Sequence, residues 1–262
     1  MQTSPRSELQ ADPKGVTTQG SWFTKWDPED NALWENGGSK IAWRTLWITT
    51  VSLTISFATW FMVSAIVVKL PGIGFKFSQN QLFWLAAMPG LAAGTLRIVH
   101  TFLLPIYGTR HVLTFAKAIK IIPCVGFGMA VMNPSTPFWV FMLLAFTAGF
   151  GGGDFSSHMP STNLFFPKRL KGAALGIQAG IGNFGVSLAQ FMTPALLGVA
   201  IAGAPQIFNK INPVTKEIIS STPIYLQNAA LWYVPLIVIW TFVCWKYLRS
   251  IPMKASIKEQ LD

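Results

Sequence analysis

The residues best placed to do chemistry in this 262-residue chain are ionisable groups set inside apolar runs. Arg97 stands sixteen residues into the run Leu82–Ile106. An arginine that deep is tolerated where it faces a cavity or a partner, which makes it a candidate functional residue. Asp154 and His158 are four apart, hence on one helical face. A lone carboxylate in such a run must find a cation or lose its charge. Three arrangements answer that need. They are a structural ion pair with Lys120 on the preceding run, a proton-coupling site shared with His158, and a direct pair with Arg97. Lys117 and Lys120 fall near the start of their run, and the plain expectation is that both snorkel toward the cytoplasm.

Glycines supply a second pattern. Gly172, Gly176 and Gly180 recur every four residues and predict a smooth stripe for close helix approach. Gly182-Asn183-Phe184-Gly185 follows, placing an amide donor at membrane depth between residues without bulk. That combination suits a small polar solute. Gly149 and Gly151–Gly153 precede Asp154, and each costs a helix roughly 1 kcal/mol relative to alanine, so close packing must compensate.

Several chemistries are disfavoured. Asp154, Ser156, Ser157 and His158 are triad residue types, but they sit on one helix where nucleophile and base do not readily meet. No phosphate loop or His-Glu-x-x-His pattern occurs, and no metal site or cofactor is expected. Cys124 and Cys244 lie in apolar runs and read as small buried hydrophobes. The basic residues are scattered without a basic helix or finger pattern, which argues against a nucleic-acid partner.

The elements that must carry these residues follow from composition. Apolar residues make up 51% and charged residues 11%, and the mean hydropathy is +0.43. Those values fit a chain whose solvent is mostly lipid. Six runs are long enough to cross a bilayer as helices: 46–68, 82–106, 112–132, 138–159, 172–201 and 226–248. They predict an all-α membrane protein with residues 1–43 as a cytoplasmic N-terminal segment, 44–249 as a six-helix bundle and 250–262 as a cytoplasmic tail or linker. Within the first segment, Trp26–Trp34 reads as a short amphipathic helix capped by Asp27. A polar loop is expected over 202–225. Thirteen Lys and Arg fall on the side of the termini and four (Lys69, Lys76, Lys210, Lys216) on the other. Both termini are therefore expected in the cytoplasm.

From Trp26 to Leu261 the chain resembles the NarK-type nitrate/nitrite porter family of the major facilitator superfamily. The resemblance rests on Leu96-Arg97, Gly-rich Ala148–Asp154, Phe165-Phe166-Pro167-Lys168 and the signature Gly176-x3-Gly180-x-Gly182-Asn183-x-Gly185-Val186-Ser187. Trp26-x-Pro28-Glu29-Asp30 and Ala255–Leu261 add to it. It implies a twelve-helix transporter of two six-helix halves, each a 3+3 inverted repeat, in a bacterial-type inner membrane. It implies alternating access and no enzyme activity. Arg97 would grip nitrate or nitrite, Phe57 and Phe155 would line the site, and Asn183 and Gly182 would contribute from the fifth span. A planar guanidinium fork suits a planar anion better than a lysine point charge. Asp262 falls where the family enters its seventh helix. A C-terminal half from a separate chain or missing sequence is therefore expected as partner, the alternative being an inactive truncated or split-gene half. Asp154 and His158 are ionisable where the family's antiporters are expected to be neutral.

The charge asymmetry generates a topology test. A cysteine replacing Lys210 should react with an impermeant thiol reagent applied to the periplasmic side of intact spheroplasts, and reaction only after lysis would reverse the orientation.

Overall fold

The computed structural model describes residues 18–212, 215 and 217–253. Arg6, Lys14, Lys216, Lys254, Lys258 and the matching segment Ala255–Leu261 lie outside the described residues.

Helices dominate. Helix α1 (Asn31–Leu33) starts at Asp30, whose carboxylate accepts from the Ala32 and Leu33 amides. The cap is thus Asp30; Asp27 instead accepts from the Glu29 amide one turn earlier. A wide turn, Trp34–Gly38, leaves helical geometry at Asn36 and at Gly37 (φ 118°) before α2 (Ser39–Val67) begins. The Trp26–Trp34 segment therefore feeds directly into the first long helix. A capping box of Ser78 and Gln81 opens α3 (Gln79–Ala118). This helix breaks at Gly108, where φ is 72° and ψ 166°. Helix α4 (Ile121–Met132) follows. Next come α5 (Phe138–Ala148), the one-turn α6 (Phe150–Gly153) and α7 (Phe155–Phe165). Helix α8 spans Lys168–Leu197, α9 Asn228–Leu231 and α10 Tyr233–Tyr247.

Among the described residues, four segments are long and apolar enough to cross a membrane: Asn31–Val67, Gln79–Met132, Phe138–Phe165 and Asn228–Tyr247. Gln79–Met132 holds 54 residues, and at about 1.5 Å each it greatly exceeds a hydrocarbon core of roughly 30 Å. Its break at Gly108 falls between the sequence-predicted spans 82–106 and 112–132, whereas the break after Ala118 interrupts the second of these spans. Lys168–Leu197 stands outside the four. Its three basic residues, its glycines, Gln178 and Asn183 dilute an otherwise apolar helix.

The fold is not purely α. Strands β1 (Thr18–Gln19) and β2 (Trp22–Phe23) pair antiparallel near the start of the described residues. The expected polar loop contains a second antiparallel pair, β3 (Gln206–Ile211) with β4 (Ile218–Ile224), in register from Gln206–Ile224 to Lys210–Ser220. The β-branched and aromatic residues Ile207, Phe208, Ile211, Ile218, Ile219, Thr222 and Ile224 favour strand over coil. Phe208 lies against Gly72, where a Cβ would sit 2.2 Å from the ring, and the Lys69 ammonium is 4.8 Å from the ring centre. The Tyr225 amide donates to Leu197 O at 2.8 Å, joining the hairpin to the end of α8.

Met62, Ile66, Phe127, Phe141 and Ile237 join α2, α4, α5 and α10 in the main core. Phe23, Trp34, Phe165, Phe166 and Ile251 form a second cluster around the N-terminal turn. Ser250 is fully buried, its amide donating to Ser21 O. Residues 250 and 251 therefore belong to the fold rather than to a free tail. Phe83, Trp139, Phe191 and Phe242 face outward, as lipid-facing side chains do.

Glycine sets the closest contacts, though not the glycines of the predicted stripe. A Cβ on Gly185 would come 2.0 Å from Thr54 O, and one on Gly182 2.6 Å from Leu53. These two bring α8 against α2. Around Gly172, Gly176 and Gly180 a Cβ meets nothing within 4 Å. That stripe faces away from the other described helices, because α8 turns its 174–178–182–185 face inward. Gly185→Leu should destabilise the protein by about 1–3 kcal/mol or more and yield aggregated material on fluorescence-detected size exclusion. Gly180→Leu should elute like the parent chain.

Candidate functional site

A buried polar seam runs through the bundle. Thr45, Thr49, Ser52, Ser56 and Thr59 follow helical spacing along α2, and all are buried. Opposite them, α7 begins with Asp154 as its cap and carries Ser157, His158 and Ser161 inward. Lys117, at the end of α3, and Lys120, at the start of α4, complete the seam.

Neither lysine snorkels. Both are fully buried. Lys120 Nζ lies 2.6 Å from Asp154 Oδ2 and also donates to Ala116 O. Lys117 Nζ donates to Ser52 O at 2.5 Å and to Ser56 Oγ at 2.8 Å. Ser56 Oγ in turn donates to Asp154 Oδ2 at 2.9 Å. An internal carboxylate and carbonyls offer these ammonium groups more than the chain ends of the helices do, because the seam is their nearest polar surface. His158 Nδ1 is 2.9 Å from Asp154 O and 3.6 Å from its Oδ1, and Nε2 is 3.1 Å from Ser52 Oγ. A second strand of the seam links His100 Nδ1 to Ser157 Oγ at 2.8 Å, with Ser161 Oγ donating to Ser157 O. Thr109 Oγ1 donates to Ser161 Oγ at 3.1 Å.

Arg97 lies on the other side of the Gly-rich segment, exposed. Its Nε donates to Gly152 O at 3.3 Å, and its guanidinium carbon is 5.2 Å from the Phe155 ring centre. Phe155 stacks on Phe57 at 6.0 Å and 13° between planes. Asp154 and Phe155 are chain neighbours, as are Ser56 and Phe57. The buried Ser56–Asp154 hydrogen bond and the Phe57–Phe155 stack are thus two sides of one contact between α2 and α7. The glycines make that contact possible. A Cβ on Gly151 would lie 2.3 Å from Ser56 O, on Gly152 2.8 Å from Ala93 Cβ, and on Gly153 2.7 Å from Leu96 Cβ. Short α6 is therefore wedged between α2 and α3. A 590 Å³ cavity lined by Thr101, Pro105, Phe155, Ser156 and Met159 opens beside the ring.

Asn183 is exposed on α8, its Nδ2 donating to Ala179 O at 2.8 Å on its own helix. Among the described residues, no hydrogen bond joins it to Arg97. Gly182 is buried against Leu53. The structure therefore unites Arg97, Phe155 and Phe57 in one group and Asp154, Lys120 and His158 in another behind it. Sequence reasoning passed over Ser52, Ser56 and His100. The period of Thr45, Thr49, Ser52, Ser56 and Thr59 was the available signal for the serines, a polar stripe on a helix otherwise made for lipid. Among the described residues, no group of three His, Cys, Asp or Glu could hold a metal ion.

Comparison with known proteins supplies the family. A "Probable nitrate/nitrite antiporter NarK2" of Thermus thermophilus is 54% identical over 94% of this chain and 54% of its own length. The chain belongs to the NarK-type nitrate/nitrite porter family. "Nitrate/nitrite transporter NarU" of Escherichia coli (strain K12) is 42% identical over 90% of the chain and 50% of its own length. "Probable nitrate transporter NarT" of Staphylococcus haemolyticus is 31% identical over 59% of the chain and 38% of its length. No family model matches. The chain spans about half the length of the first two of these relatives. Its apolar helices and this kinship make it a multi-pass membrane protein. Porter relatives of this kind are named for transport rather than catalysis.

The seam yields a stability test. Asp154→Asn leaves Lys120 buried without its counter-charge, a loss of about 3–5 kcal/mol when one partner of a buried pair is removed. Expression and melting temperature in detergent should fall, and the pair Asp154→Asn with Lys120→Met should recover most of both. If Asp154→Asn instead folds normally, the pair is not structural. A pH-gradient response lost in that variant within an active assembly would assign Asp154 and His158 to coupling.

Proposed function

We propose that this chain forms the N-terminal half of a nitrate/nitrite transporter that works by alternating access. Residues 44–249 make six spans in two inverted sets of three, the long Gln79–Met132 segment counting as two around its Gly108 break. Both termini lie in the cytoplasm, as the thirteen-to-four charge asymmetry favours. Residues 1–43 and 250–262 flank the bundle on that side, in an inner membrane of bacterial type.

One observation carries the substrate reading: an exposed guanidinium is held by a single Nε bond to Gly152 O and laid over a stacked pair of phenylalanines. Nε is occupied, so the Nη groups stay available for two parallel hydrogen bonds to a flat oxyanion. The ring pair keeps water from one side, which strengthens the charge attraction. A lone arginine in such a place has no carboxylate to satisfy it among the described residues, since Asp154 is engaged by Lys120. That separation frees Arg97 for an external anion. Asn183 supplies a polar group from α8, and Gly182 acts by letting α8 approach Leu53.

Transport needs a second set of helices to close the site from the opposite side. The open Gly172–Gly180 stripe on α8 supports a partner surface there, because small residues allow close helix approach. The second half comes from a separate chain or from further sequence, and this chain without it binds no closed site and moves no anion.

Nitrate uptake into proteoliposomes tests the reading. The chain alone should be inactive, and co-expression with a complementary six-helix half should give uptake. In that active assembly, Arg97→Lys should insert normally while uptake falls roughly 10- to 150-fold, the value of about 1.5–3 kcal/mol for one charge-assisted hydrogen bond. Near-normal uptake by the lysine variant would make Arg97 structural.

A further inference from the structure

A second cluster of cations lies at the Gly108 break, away from Arg97. The Arg110 amide donates to Ser250 Oγ at 3.1 Å, which places Arg249, the preceding residue, beside it. The like charge of Arg249 acts on Arg110. The Arg110 guanidinium sits 4.3 Å from the Trp245 ring centre, and the His111 ring meets the same indole edge-on at 5.7 Å. Arg110 Nε is buried and has no protein partner. Among the described residues, no carboxylate bridges either arginine. Two cations held together without a carboxylate between them suit an anion from outside.

An apolar groove of about 310 Å³ starts at the same place. Tyr107 and His111 line its end nearest the break, and Leu96, Val99, Leu103 and Phe115 line the rest. His111 therefore belongs both to the groove and to the arginine cluster. The groove is almost wholly apolar, and the cluster at its end is cationic.

We propose that this site binds one anionic phospholipid, its phosphodiester on Arg110 and Arg249 and an acyl chain in the groove. Charge decides the class, since a zwitterionic headgroup would bring its own cation against the two arginines. Basic pockets between helices on the cytoplasmic side recognise anionic headgroups in this way. Placement in the cytoplasmic leaflet rests on the topology proposed above, whereas the lipid preference does not.

Native mass spectrometry of the purified chain, delipidated and then titrated with phosphatidylglycerol or phosphatidylcholine, tests this. Phosphatidylglycerol should be retained about tenfold more strongly. Arg110→Gln with Arg249→Gln should abolish the difference. Leu103→Trp, which fills the groove and keeps both arginines, should weaken retention of phosphatidylglycerol. Inorganic phosphate at millimolar concentration should not displace the lipid, because it lacks the chain. Equal retention of the two lipids, unchanged retention in both variants, displacement by phosphate, or a second copy of the chain in place of lipid would overturn the proposal. The measurement needs no transport and no defined orientation, so failure of the porter reading leaves its outcome intact.

Discussion

The contact between Lys120 and Asp154 is the constraint around which the interior is arranged. Both charges are removed from water, and their mutual attraction offsets that loss only while the pair stays close and its remaining bonds are made. Ser56 Oγ, donating to Asp154 Oδ2, and the Ala116 carbonyl, accepting from Lys120, make two of those bonds, and Lys117 braces Ser56, while Asp154 Oδ1 has no hydrogen-bond partner and lies 3.6 Å from His158 Nδ1. The consequence reaches the exposed site. Gly152, whose carbonyl holds Arg97, is two residues before Asp154, and Phe155 is one residue after it. A shift of Asp154 would move the arginine's acceptor and the ring beneath it together.

The glycines explain how such a pair can form where it does. Four glycines near Asp154 weaken the helix locally, and Gly149 to Gly153 interrupt it into α5, α6 and α7. What returns the loss is proximity. Without side chains, α6 reaches the Ser56 carbonyl on one flank and Ala93 and Leu96 on the other. The same rule governs α8, where Gly182 and Gly185 face α2 and leave Gly172, Gly176 and Gly180 outward. One helix thereby carries two smooth faces, one used within the bundle and one open.

The two arginines divide the molecule's external chemistry. Arg97 rests on phenylalanine beside a cavity lined by Thr101, Phe155, Ser156 and Met159, and Arg110 rests on tryptophan beside an apolar groove. In both, the guanidinium lies over an aromatic ring, 5.2 Å from the centre of Phe155 and 4.3 Å from that of Trp245.

Much of this was legible in the residues. Composition and apolar run length determined a lipid-embedded helical chain, because a bilayer demands about twenty apolar residues whatever the neighbours are. The depth of Arg97 marked a candidate functional residue, and the signature around Asn183 carried the resemblance to the nitrate/nitrite porter family, to which the chain belongs. Pairwise geometry was beyond sequence. Asp154 had three arrangements open to it, and only the approach of α4 to α7 set Lys120 against it. Lys117 was expected at the membrane surface, yet a serine stripe on α2 gave it an interior partner. Which glycine of α8 packs depends on the rotation of that helix, and Gly172-Gly176-Gly180 and Gly182-Gly185 are equally smooth until a neighbour chooses one face. The hairpin over 206–224 was hidden because a short strand pair draws its stability from the ring of Phe208 on Gly72. Local sequence sets what a segment can bury; tertiary structure decides against what it is buried, since the partners lie tens of residues away.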